Sequence, residues 1–81
     1  MEETTIMSAI TTRIGQVIRA NREQRGLSQE ALAALANLNR SYLGEIERGT
    51  AMPSVETLQK LATALGEKLS TIIHQYEQLE Q

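Results

Sequence analysis

Apolar residues recur at helical spacing along almost the whole chain, and no alternating, strand-like pattern competes with them. Ile10, Ile14, Val17 and Ile18 mark one stripe, with Gln16, Arg19, Arg22 and Glu23 elsewhere on the wheel. The stripe predicts a first helix that ends at Gly26, after the basic Arg25. Residues 1–8 hold few core-forming side chains and predict a loose N-terminal arm, from which Ile6 and Met7 could dock. Leu27 staples the link to a second helix over 29–36, for which Ser28 is the expected N-cap. A third helix is predicted over 40–48, capped by Asn39 and closed by Gly49. After the turn at 50–53, Pro53 holds Met52 extended and Ser54 caps a fourth helix. Its stripe is Val55, Leu58, Leu61, Ala62 and Leu65, stopped by Gly66. Leu69, Ile72, Ile73, Tyr76 and Leu79 predict a fifth helix within 69–81. The expected fold is all-α: a compact five-helix bundle with short connections, forming one domain over 1–81.

The second and third helices carry the most specific spacing. Leu32, Ala36, Leu38, Leu43 and Ile46 are the positions two crossed helices would bury, and Ala33 is small where the backbones pass closest. Asn37 falls at the break, where the chain needs a left-handed residue that Gly, Asn or Asp adopts cheaply. A helix, a tight turn and a second, steeply inclined helix make a helix-turn-helix.

Bulk properties narrow the classes. A chain of 81 residues buries only about 60% of its unfolded surface, and this one has no Cys, Trp or Phe to supplement a core of Leu, Ile, Val, Ala and Met. Dimerisation would strengthen so thin a core. No apolar run approaches a membrane span and no signal peptide is visible, so the expected location is the cytoplasm, at the nucleoid. The lone His74 has no Cys or second His to build a metal site with, and no nucleophile–base constellation or phosphate loop can be drawn. The expectation is no enzyme, no metal, no cofactor and no small-molecule ligand. A net charge of −2 argues at first against a nucleic-acid partner. Between positions 13 and 48, however, six Arg stand against four Glu, leaving +2 on the helix-turn-helix segment and negative charge on both flanks. So modest a field predicts weak, salt-sensitive non-specific DNA binding.

The segments RGLSQEALA, SYLGEIERG and PSVETLQKLATALG, with the small-residue turn between them, resemble the phage-repressor (Cro/CI-type, XRE) helix-turn-helix family over residues 14–73. NLNRSYLGEIERG is also similar to the recognition segment of restriction–modification controller proteins. The resemblance implies a lambda-repressor-like DNA-binding domain whose third helix enters the major groove of double-stranded DNA. On that helix Arg40, Ser41 and Tyr42, with Glu45 one turn on, are the candidate base contacts. Arg can fork onto guanine, Ser serves several bases, Tyr offers a hydroxyl and a ring for a thymine methyl, and Glu accepts from cytosine. Ser41 as a plain helix-start residue and Glu45 as a solvated one are the competing readings. Gly44 lets something approach closely, either DNA or the second helix. The resemblance also implies phosphate contacts from Gln29 and Arg48, with Asn39 and Thr50 as weaker candidates, and a structural ion pair between Arg22 and Glu47.

One recognition helix reads few base pairs, so specific binding calls for a homodimer on two half-sites about 34 Å apart. Ile72, Ile73, Tyr76 and Leu79 are the expected interface, against the alternative that the fifth helix folds back on the arm near Ile6 and Met7. These readings lead to a sequence-specific transcriptional regulator, a dimer on a palindromic operator controlling its own operon, either repressor or activator, with the restriction–modification controller as the favoured type. Activation would need RNA polymerase, and no residue can be named for that contact. A protein-binding reading stands beside it: an antitoxin-type regulator whose main partner is a protein toxin.

Overall fold

In the computed structural model, which describes residues 3–79, each helix start has a side-chain acceptor where the sequence supplies one. Five helices form among these residues, and no strand: α1 Glu3–Gln24, α2 Gln29–Leu35, α3 Arg40–Arg48, α4 Val55–Ala64 and α5 Leu69–Leu79. Ser28 Oγ accepts from the Ala31 N–H, Asn39 Oδ1 from Ser41 and Tyr42, and Ser54 Oγ from Thr57. These bonds satisfy N–H groups that the first turn leaves without intrahelical partners. Asn37 is the one described non-glycine residue at positive φ, 56°, and makes the turn between α2 and α3. Gly49, at φ 79°, ends α3.

The five helices share one core. α1 packs against α3 and α5, α2 against α3 and α4, and α4 against α5. Ile18, Leu32, Leu43, Ile46, Leu61, Leu65 and Ile72 are the largest fully buried side chains. Each stabilises the fold by about 1.5–3 kcal/mol relative to exposure. α1, about 33 Å long at 1.5 Å per residue, nearly matches the 37 Å longest dimension of the molecule.

Three expectations are corrected. The loose arm is helical from Glu3 onward, residues 1 and 2 lying outside the described range. Ile6 stands four residues before Ile10 and continues the α1 stripe, and Thr11 Oγ1 donates to the Met7 carbonyl at 2.8 Å. Val55, expected on the apolar stripe of α4, is 70% exposed, because the first turn of that helix lies at the rim of the core. Ile72, expected to face a second copy, is fully buried within the monomer. Adjacent Ile72 and Ile73 leave the inward choice to tertiary packing, and here Ile72 turns inward while Ile73 stays 37% exposed. Tyr76 is half-buried against the core and Leu79 exposed. Nor does α5 fold back on Ile6 and Met7, which are both exposed. It docks on the C-terminal half of α1, where the buried Asn21 donates Nδ2–H to the Gln75 side-chain carbonyl at 2.7 Å.

Candidate nucleic-acid interface

α3 is amphipathic in a way that fixes what it shows. Leu43 and Ile46 are fully buried, so the helix cannot roll, and the opposite side carries Arg40, Ser41, Gly44, Glu45 and Arg48. With Gln29 from α2, these five line an open depression of about 280 Å³. The structure therefore brings three of the four predicted base-reading residues, Arg40, Ser41 and Glu45, to one outward surface. Tyr42 is not among them: it is half-buried against the core at the edge of that surface. Its ring is the part of α3 that both core and groove could use, which residue type alone cannot decide.

The position of α3 is set from behind by two devices. At Gly15, an added Cβ would lie 2.3 Å from the Ile46 carbonyl oxygen and 2.9 Å from that of Glu47, so α1 and α3 touch backbone to backbone. Gly15 stands outside the motifs and caps named from the sequence. Its signal was a glycine inside a helical stripe, which costs about 1 kcal/mol and usually has a packing reason. Beside it, Arg22 Nε and Nη2 donate to the two Glu47 carboxylate oxygens at 2.7 and 2.9 Å, while Nη1 donates to the Leu27 carbonyl at 2.8 Å. The Glu47 side chain is 3% exposed. Hydrogen bonding to Glu47 raises the Arg22 pKa above its ordinary value, outweighing the opposing effect of desolvation. A single guanidinium thus joins α1, the α1–α2 link and α3.

The predicted phosphate contacts look different in place. Gln29 donates its amide N–H to Glu47 Oε1 at 3.1 Å, which fixes the side chain at the rim of the depression. Asn39 Oδ1 is engaged in capping α3, leaving only its amide N–H groups to face outward. Thr50 donates its hydroxyl to the Glu45 carbonyl at 3.1 Å, at the C-terminal turn of α3. The same carbonyl accepts the Thr50 backbone N–H at 2.9 Å, so Thr50 closes the C-terminal turn of α3 through both groups. Arg48, by contrast, is exposed, with Nη1 3.0 Å from where a Cβ on Gly44 would stand. Gly44 lies below Arg48 and Gln29, and its missing side chain forms the floor of the depression. Arg40 is 63% exposed and reaches Glu30 at 3.9 Å, a loose surface pair. Among the described residues no cluster of His, Cys, Asp or Glu could hold a metal ion, His74 is exposed, and no helix is long and apolar enough to cross a membrane.

A helix held by its apolar side against a bundle, with a short helix crossing behind it, defines a helix-turn-helix protein. Residues 18–72 match the helix-turn-helix family HTH_3, and the chain belongs to that family. Over 60 residues it is 50% identical to the immunity repressor protein of Bacillus phage phi105, a match covering 74% of this chain and 42% of that protein. It is 38% identical over 60 residues to the HTH-type transcriptional regulator SutR of Escherichia coli, covering 74% of this chain and 34% of SutR. The match thus spans less than half of either relative. Among solved structures, the restriction-modification controller protein C.AhdI from Aeromonas hydrophila superposes with a TM-score of 0.75 at 44% identity. That alignment covers 76% of this chain and 94% of C.AhdI.

Proposed function

We propose that this chain is a sequence-specific DNA-binding transcriptional regulator, acting as a homodimer on a palindromic operator in its own control region, in the manner of a restriction–modification controller. The observation that carries the reading is the outward side of α3, where Arg40, Ser41, Glu45 and Arg48 are presented together while Leu43 and Ile46 anchor the helix. The B-DNA major groove admits one α-helix, and N-terminal residues of such a helix reach base edges. In this pose Arg40 forks onto a guanine and Arg48 neutralises a phosphate. The likeness to C.AhdI, which extends over nearly all of that protein, supports the controller subtype. In this reading a second copy of the chain binds the second half-site, and the regulator works in the cytoplasm, at the nucleoid.

Selection from a pool of random duplexes, followed by salt titration on the enriched sequence, tests this reading. A palindromic consensus and a linear fall of log affinity with log salt are the expected results. Enrichment of no sequence would reject it.

A further inference from the structure

The outward side of α3 and its α2 rim carry no net charge: Arg40 and Arg48 stand against Glu30 and Glu45. That balance is unexpected for a surface meeting a polyanion, and the two acids differ. Glu30 has Arg40 beside it and a side chain 78% exposed to water. Glu45 is half-buried in the wall of the depression, and among the described residues it has no ion-pair partner within 4.0 Å. Next to it Gly44 has no side chain, and the atoms over it are the ends of two polar side chains, Arg48 and Gln29.

Resting on the DNA-binding reading above, we infer that Glu45 is the specificity-determining residue of this surface and acts mainly by exclusion. An ionised carboxylate only accepts hydrogen bonds. Pressed into a major groove it meets acceptors on guanine (O6, N7) and on thymine (O4), and a desolvated charge facing acceptors is strongly unfavourable. Two edges carry an amino donor. Adenine places its N7 acceptor beside the N6 amino group, whereas cytosine offers the N4 amino group with no acceptor on its own groove edge. Glu45 therefore admits cytosine, and it weakens binding wherever cytosine is missing from that position. Non-specific DNA, which presents every base in turn, is held more weakly than the arginines alone would hold it.

The experiment repeats the duplex selection with Glu45→Ala, Glu45→Gln and, as a charge control on α5, Glu77→Gln, alongside the unaltered chain. The expected wild-type consensus has cytosine at one position of each half-site. Glu45→Ala should lose about 5- to 150-fold discrimination at that position only, keep the remaining consensus, and bind random duplex more tightly. Glu45→Gln, whose amide matches adenine N6 and N7, should move the preference from cytosine to adenine. Glu77→Gln should leave base preference unchanged. A consensus identical at every position in all four proteins would overturn the role of Glu45 while leaving DNA binding intact. Equal tightening on random duplex by Glu45→Gln and Glu77→Gln would overturn exclusion by showing a net-charge effect. Failure of the wild-type chain to enrich any sequence would instead defeat the DNA-binding reading beneath it.

Discussion

Arg22 and Glu47, 25 positions apart in the chain, close a two-pronged hydrogen-bonded pair at the crossing of α1 and α3. The carboxylate is almost completely enclosed, so removing the guanidinium leaves a buried charge without its partner. Arg22→Met should lower stability by about 3–5 kcal/mol, read as a reduced urea midpoint at unchanged m. The double variant Arg22→Met/Glu47→Leu should recover most of that loss, since an apolar pair of similar volume is often neutral. Because the pairing raises the Arg22 pKa, the contribution is complete below arginine's ordinary value and fades only as pH rises through the raised one. Between about pH 5 and 9, titration of Arg22 should therefore leave stability unchanged.

Two glycines give opposite expectations for the same substitution. Gly15→Ala drives a methyl group into the Ile46 carbonyl oxygen, and backbone at that contact cannot swing aside. Despite a gain in helix propensity, a net loss of about 1–3 kcal/mol is expected. Gly44→Ala meets the far end of Arg48, which can move, with the Gln29 side chain at ordinary contact distance. It should raise stability by about 0.5–1 kcal/mol and weaken DNA binding by filling the floor of the depression. Thermal unfolding and a binding titration on the pair of variants separate the two effects.

Arg40→Ala should cost about 1–3 kcal/mol of affinity on the selected operator and relax preference at one base position. Thermal stability should stay within about 0.5 kcal/mol of wild type, because the side chain is exposed and its pair with Glu30 is loose. An unaltered base preference would remove Arg40 from direct readout.

The two neighbouring isoleucines of α5 distinguish fold from assembly. Ile72→Ala empties a fully buried site and should destabilise the monomer by about 2–5 kcal/mol. Ile73→Asp changes an exposed position, and light scattering should show a folded monomer in place of a dimer. A dimer of wild-type strength in Ile73→Asp would move the interface away from this side of α5.

Much of the architecture was readable because it depends on local chemistry. Ser28, Asn39 and Ser54 cap, Asn37, Gly26, Gly49 and Gly66 take left-handed backbone, and each acts within a few residues of itself. What escaped was decided at a distance. Gln29 looks like a free polar residue at a helix start until Glu47, 18 positions later, takes its amide proton. Thr50 is similar: a hydroxyl in a turn after a helix can serve solvent, ligand or the helix itself, and here it serves α3. At the N-terminus, the run of Glu and Thr before Ile6 masks an i, i+4 register that extends α1 to Glu3. Periodicity also cannot rank two adjacent isoleucines, which is why Ile72 and Ile73 needed the packed core to tell them apart.

Gly15 gives α3 a brace along its spine, since α1 meets its carbonyls directly without side chains in between. A rod supported in this way has few alternative poses to surrender when it associates. In the proposed docking on a duplex, the ordering entropy then falls on the DNA and on long exposed side chains such as Arg40 and Arg48, at about 0.5–1.5 kcal/mol for each one immobilised. For the proposed operator binding, stiffening the scaffold offers little extra affinity, so tuning of its strength is left to the choice of side chains on the outer turns of α3.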